Sequence, residues 1–411
     1  MQKKIFILTA LWLIATATGL TAANPEKKTV RSGDFEREYL VYTPQNTRVK
    51  PDGLIVGLHG FNGSNEDFFG AYPIFRVADS LNYLFLAPQA LPEQSQRVKD
   101  KAELIRLFFG NTIPLDAVWA CGLKVKAFSQ LFGVTLLEEE LNKSVDDVEF
   151  IRRIIDQTRD EYALTSENIF LVGTSMGGYM AYQFALKQPV KPAGIVSIVG
   201  SMGLSVQGMD DRLKTPLCDF HSLTDEVVPY AGSYENAGLV ISLAQAKTDV
   251  LRYWAETNGC GEPVSEAVNN YPSTNGITVE KITYPHPVYE VVHYRMNGSS
   301  HSYFFRKEAG DCMDYPEEIT KFISSHASPH PGGMVMPEIR TLQVYPNPAA
   351  EVVYLGITDG HVSVCDFAGQ EVLSTPFRSG QLDISSLKPG IYILRVRSNG
   401  ILHTAKLIIQ K

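Results

Sequence analysis

The apolar run Ile169-Phe-Leu-Val172 leads into Gly173-Thr-Ser-Met-Gly-Gly178 and on into the helix-compatible stretch Tyr179–Leu186. No other feature of the 411-residue chain leaves it so few choices. A bare G-x-S-x-G recurs by chance. Set between a strand and a helix it acquires mechanical meaning, because the sharp turn lifts the Ser175 side chain to the edge of a sheet in a strained backbone conformation. Gly173 and Gly177 lack the side chains that would clash there. The helix that follows aims its N–H groups at the same spot, so the Met176 amide can donate to an oxyanion. The plainer alternative is a tight strand-to-helix turn whose serine is structural.

Other segments extend this unit into an architecture. Leu54–Leu58, Tyr83–Leu86, Ile195–Val199 and Leu217–His221 are short apolar runs of the kind found in buried strands. Asp146–Tyr162 and Met176–Gln188 carry helical patterns between them. Strands alternating with amphipathic helices predict an α/β fold, a mostly parallel sheet flanked by helices. The stretch from about Pro92 to Ser144 is too long for one strand–helix unit and predicts a lid insertion over the carboxyl edge of the sheet.

The two ends read differently. Lys3 and Lys4 precede an apolar stretch from Ile5 to about Ile14, then the small residues Ala15-Thr-Ala17 and Thr21-Ala-Ala23. This is the pattern of an export signal, residues 1–23, and the run is short for a membrane anchor. At the other end, the Pro- and Gly-rich segment 327–340 has no apolar face and reads as a linker. Beyond it, seven short segments between Thr341 and Ile409, most of them alternating, predict a small antiparallel β-sandwich over 341–411. The catalytic region is then 24–326, with the lid at about 92–144. The chain has 37 basic and 45 acidic side chains, a net charge of −8. The sandwich segment holds six basic and five acidic residues, so the acidity belongs to the larger region. That balance argues against a nucleic-acid partner, which needs clustered Lys and Arg. No Cys or His spacing suggests a metal. The five cysteines are Cys121, Cys218, Cys260, Cys312 and Cys365. In an oxidising compartment a Cys260–Cys312 bridge is the expected pair, and an odd count leaves at least one thiol over.

A serine needs a base and an orienting acid, which in this kind of fold follow it in the order Ser, Asp, His. Asp225 lies just past the strand-like segment that starts at Pro216. Asp219, inside that segment, and Glu226 compete with it. Among the downstream histidines, His293 falls within the alternating run Tyr289–Met296 and His286 between two prolines, while His326 and His330 lie at the linker. His301 follows Asn297-Gly-Ser-Ser300, a loop before the last helical stretch, and is the candidate base. After the early strand, His59-Gly60-Phe61 offers the Phe61 amide as a second oxyanion donor, with Gly60 giving close backbone approach. His59 itself reads as a buried imidazole bonded to backbone. In the lid, Phe108, Phe109, Trp119 and Phe132 are candidates for an aromatic acyl pocket or for the lid's own core.

These pieces together resemble the polyhydroxybutyrate depolymerase/feruloyl esterase group of α/β-hydrolases. The resemblance rests on Leu58-His-Gly-Phe-Asn-Gly-Ser-Asn-Glu-Asp-Phe68, Val145-Asp-Asp-Val-Glu-Phe-Ile151, Val172-Gly-Thr-Ser-Met-Gly-Gly178, His221-Ser-Leu-Thr-Asp-Glu-Val-Val-Pro-Tyr230, Trp254-Ala-Glu-Thr-Asn-Gly-Cys260 and Gly298-Ser-Ser-His301. It implies a carboxylic ester hydrolase with catalytic Ser175, Asp225 and His301, no cofactor, and an ester of small or polymeric kind as substrate. Two departures bear on substrate: Tyr303 stands where the group often has Trp, and the lid is not of its usual form. The tail resembles the C-terminal sorting domain of the type IX secretion system, through Val344-Tyr-Pro-Asn-Pro348, Val364-Cys-Asp-Phe-Ala-Gly-Gln370, Ile384-Ser-Ser-Leu-Lys-Pro-Gly-Ile-Tyr392 and Lys406-Leu-Ile-Ile-Gln-Lys411. It implies passage through the periplasm to the surface or medium, with the secretion machinery as partner. The rival readings are a serine peptidase of the same fold and a secreted binding protein or adhesin on a catalytically dead scaffold.

Overall fold

The computed structural model describes residues 24–45, 50–101, 115–164, 167–187, 191–204, 214–236, 238–328, 339–366, 371–398 and 401–410. The expected export signal, together with Phe108, Phe109 and His330, lies outside them. The chain divides into two compact units, Met1–Ser328 and Pro329–Lys411.

The first unit is built on a ten-stranded sheet. Its strands are β1 (Glu26–Ser32), β2 (Phe35–Tyr42), β3 (Leu54–Leu58), β4 (Leu84–Pro88), β7 (Ile169–Thr174), β8 (Gly194–Ile198), β9 (Leu217–Ser222), β12 (Val264–Ala267), β13 (Thr278–Tyr284) and β14 (Val291–Asn297). They lie in the order β1-β2-β4-β3-β7-β8-β9-β14-β13-β12. The middle six, β4 through β14, are parallel, and antiparallel pairs close both edges. The central strands β3, β4, β8 and β9 are buried along their whole length, as strands covered by helices on both faces must be. Along β3, Leu54, Val56 and Leu58 enter one core while Ile55 enters the other. Helices α2 (Asp147–Glu161), α3 (Met176–Lys187) and α4 (Lys247–Asn258) pack on the first face. Helices α1 (Phe75–Leu81) and α5 (Tyr315–His326) pack on the second. Asp146 caps α2, its side chain accepting from the Glu149 amide at 2.9 Å. No helix among the described residues is long and apolar enough to cross a membrane.

Residues 115–144 form no strand–helix unit. The hairpin β5 (Lys124–Ser129) and β6 (Val134–Glu140) joins β10 (Ser233–Asn236) and β11 (Leu239–Ser242) in a separate four-stranded antiparallel sheet, in the order β10-β11-β5-β6. Its tip is open to solvent, with Leu131 80% and Phe132 74% exposed.

The second unit is a two-sheet β structure. One sheet holds β15 (Ile339–Thr341), β22 (Ile401–Ile409), β21 (Gly390–Ser398), β18 (Asp359–Cys365) and β19 (Glu371–Arg378) in that order. The other holds β16 (Val344–Tyr345), β17 (Val352–Leu355) and β20 (Gln381–Asp383). The successive strands β15 and β16 belong to different sheets. The pairing is antiparallel except for β15, which runs parallel to β22. Val353, Val362, Val364, Leu394, Val396 and Leu407 fill the core between the sheets.

The expected Cys260–Cys312 bridge is absent: all five thiols are free. The sheet keeps this pair apart. Cys260 packs against the core on the α4 face, with its thiol donating to the Tyr289 carbonyl, while Cys312 is buried in the core on the α5 face. Proximity along the chain flanking one loop says nothing about which side of a sheet each thiol faces.

Candidate active site

Ser175 occupies the turn between β7 and α3 with φ of +51°, the left-handed region in which a non-glycine residue is held under strain. The surrounding glycines are obligatory. A Cβ on Gly173 would lie 2.1 Å from the Gly177 carbonyl oxygen, and one on Gly177 would lie 1.8 Å from that of Leu58. Helix α3 can therefore begin hard against the end of β3 only because those positions are bare. The Ser175 amide donates to the Ile198 carbonyl at 2.8 Å, which fixes the turn to β8.

The strand order brings the other candidates to the same edge. β9 and β14 are neighbours and parallel, so the loops leaving their carboxyl ends emerge side by side. The first carries Asp225 and the second His301. His301 Nε2 lies 2.9 Å from Ser175 Oγ, and His301 Nδ1 lies 2.8 Å from Asp225 Oδ2. Burial raises the cost of ionising Asp225, but its hydrogen bond to His301 and the charge that ring can carry outweigh it. Its carboxyl is held below the usual range. Asp225 Oδ1 also accepts from the Val227 and Val228 amides at 2.9 and 2.7 Å.

The two loops are sewn together. Ser222 and Thr224 hydroxyls both donate to the Ser299 carbonyl, at 2.8 and 2.9 Å. Glu226, the competing acid, accepts from the His301 backbone amide at 3.1 Å. Asp219, the other competitor, lies inside β9 and is fully buried. There it accepts from Nδ1 of His293, the histidine expected on the sheet face.

The loop after β3 runs directly over the serine. A Cβ on Gly60 would meet Ser175 Cβ at 3.4 Å, so this backbone approaches Ser175 closely. His59 is buried, its Nδ1–H donating to the Gly60 carbonyl at 2.7 Å and its Nε2 accepting from the Ala90 amide at 3.1 Å. Burial pushes its pKa down to about 4. Trp119 packs against this imidazole, ring centroids 4.9 Å apart and tilted by 39°, donates to the His59 carbonyl, and is fully buried there.

A cavity of about 210 Å³ opens at Ser175, with Phe61, Tyr72, Val199, Tyr303 and Phe304 in its walls. Among the described residues, none between 92 and 144 lines it. Tyr72 and Phe304, whose rings lie 5.4 Å apart, were not legible as site residues. They come from loops whose convergence only the fold decides. Val199 has φ of +48°, which no pattern in the sequence signals for a β-branched residue.

Residues 133–256 match the phospholipase/carboxylesterase family, a stretch that holds Ser175 and Asp225. Residues 343–410 match the secretion system C-terminal sorting domain. The probable feruloyl esterase C of Aspergillus niger is 23% identical over 281 residues, covering 64% of this chain and 88% of that protein. Among solved structures, the acetyl xylan esterase of Aspergillus awamori aligns at 15% identity and a TM-score of 0.44, covering 72% of this chain and 99% of that one. A fluorophosphonate-binding serine hydrolase of Staphylococcus aureus aligns at 13% and 0.39, covering 74% and 98%. The chain is thus similar to the phospholipase/carboxylesterase family over residues 133–256 and to the secretion system C-terminal sorting domain over residues 343–410.

Proposed function

We propose that the protein is an exported serine carboxylic ester hydrolase of the polyhydroxybutyrate depolymerase/feruloyl esterase type, working through an acyl-enzyme. The observation that carries this reading is the Ser175–His301–Asp225 chain of hydrogen bonds, at 2.9 and 2.8 Å, opening on a cavity. Ser175 Oγ attacks the ester carbonyl as His301 Nε2 takes its proton. Asp225 accepts from Nδ1 and supports the imidazolium. Charge develops on the carbonyl oxygen beside the Phe61 and Met176 amides. Among the described residues, neither amide enters a turn or cap hydrogen bond that would occupy it. His301 returns the proton to the leaving alcohol, then draws one from water, which attacks the acyl-enzyme and frees Ser175. The aromatic walls favour esters with a flat or apolar acyl group. Residues 1–23 would direct export to the periplasm, 24–326 catalyse, 327–340 link, and 341–411 address the protein to the secretion machinery and the cell surface.

Ser175→Ala should abolish hydrolysis of a short-chain chromogenic ester, and labelling by a fluorophosphonate probe, while leaving the unfolding temperature unchanged. Undiminished turnover in that variant would overturn the assignment. A parent chain that does not label would favour the dead scaffold, and faster cleavage of peptide amides than of esters would favour the peptidase.

A further inference from the structure

We propose that Asp219 is a positioning residue, a buried carboxylate that fixes the nucleophile helix, the acid strand and the base strand in one frame. The inference rests on the serine-hydrolase reading above. Asp219 and His293 are register partners on the parallel pair β9 and β14, the two strands whose following loops carry Asp225 and His301. Asp219 Oδ2 accepts from His293 Nδ1–H at 2.8 Å, which ties base strand to acid strand. Its Oδ1 accepts from the Tyr182 hydroxyl at 3.0 Å, and Tyr182 belongs to α3, the helix that begins immediately after Ser175. The same oxygen accepts from Lys247 Nζ at 2.7 Å. Lys247 donates a second bond, also 2.7 Å, to the Gly200 carbonyl. Gly200 lies against the nucleophile turn so closely that a Cβ there would stand 2.8 Å from the Ser175 carbonyl oxygen. His293 Nε2 is satisfied in turn by the Tyr230 hydroxyl at 3.0 Å.

None of Asp219, His293, Tyr182 and Lys247 is more than 1% exposed. Removing a carboxylate and an ammonium from water is expensive, and well-packed apolar residues of similar volume often stabilise a core as well or better. Stability is therefore a weak reason for this arrangement. What apolar packing cannot supply is direction. Three bonds on one carboxylate and two more on its partners hold α3, β9 and β14 against sliding, where a misplacement of about 1 Å at the reacting atoms can cost on the order of a hundredfold in rate.

The test uses the full chain with Tyr182→Phe and Asp219→Asn, followed by kcat and KM on a neutral chromogenic ester, fluorophosphonate labelling rate and thermal unfolding. Tyr182→Phe removes one hydroxyl and retains the ring. It should lower kcat and labelling rate roughly tenfold with KM within about twofold, in a protein still fully folded at the assay temperature. Asp219→Asn should lower both by more. Should Asp219→Asn fail to fold, Tyr182→Phe decides alone. A folded Tyr182→Phe with the parent's kcat and labelling rate would overturn the inference, whatever its unfolding temperature. A parent that neither labels nor turns over would remove the serine-hydrolase reading and this inference with it. A parent that labels beside unaffected variants would remove the inference alone.

Discussion

His59 shows at single-residue scale how burial decides a role. Its ring donates to Gly60 and accepts from Ala90, a neutral arrangement that a second proton would break. With its pKa pushed to about 4 by burial, the folded protein refuses a proton that the unfolded chain takes up near pH 6.5. The stability this contributes is complete above pH 6.5 and is lost as the pH falls through that window toward 4. Between pH 7 and pH 5 the parent should lose about 2 kcal/mol more stability than His59→Gln, measured by urea unfolding. Equal losses in both would show that His59 is not the titrating group. The imidazole-to-backbone role of His59 was legible beforehand because a histidine between a buried strand and a glycine has little but backbone to meet. The role of Glu226 was not, since its grip on the His301 amide depends on where a loop 75 residues away returns.

At the scale of elements, the strand–turn–helix around Ser175 was legible because its constraints are local. Strand expectations such as Leu54–Leu58 and helix expectations such as Met176–Gln188 coincide with the observed bounds to within a residue or two, since apolar periodicity and caps are local too. The glycines in the turn have a sharper consequence. Gly177→Ala would push a Cβ into the Leu58 carbonyl, backbone against backbone, with no flexible side chain to give way. It should destabilise the first unit by at least about 3 kcal/mol, read as a shift in the denaturation midpoint. An alanine variant with the parent's midpoint would mean that α3 does not abut β3 as described. The β5–β6 hairpin was not legible as such. Its strand β5 finds its outer partner in β11, about a hundred residues later, and sequence separation hides pairings of that kind.

For the whole molecule, the division at Ser328 yields two units with separate cores. A chain ending at Ser328 should keep the parent's kcat/KM when purified, but remain cell-associated when produced in a host with the secretion machinery, as fractionation would reveal. Loss of turnover on truncation would show that the tail contributes to the site. The sequence by itself determined the α/β plan, the tail and the strand–turn–helix that holds Ser175, because hydrophobic period, turn chemistry and motif spacing act over a few residues. Only the tertiary structure decided which side of the sheet each cysteine faces, that the hairpin over residues 124–140 shares a sheet with β10 and β11, and that Asp219 and His293 meet. Those outcomes depend on which distant strands become neighbours, and the free energy that selects neighbours is summed over the packed core rather than written in any one segment.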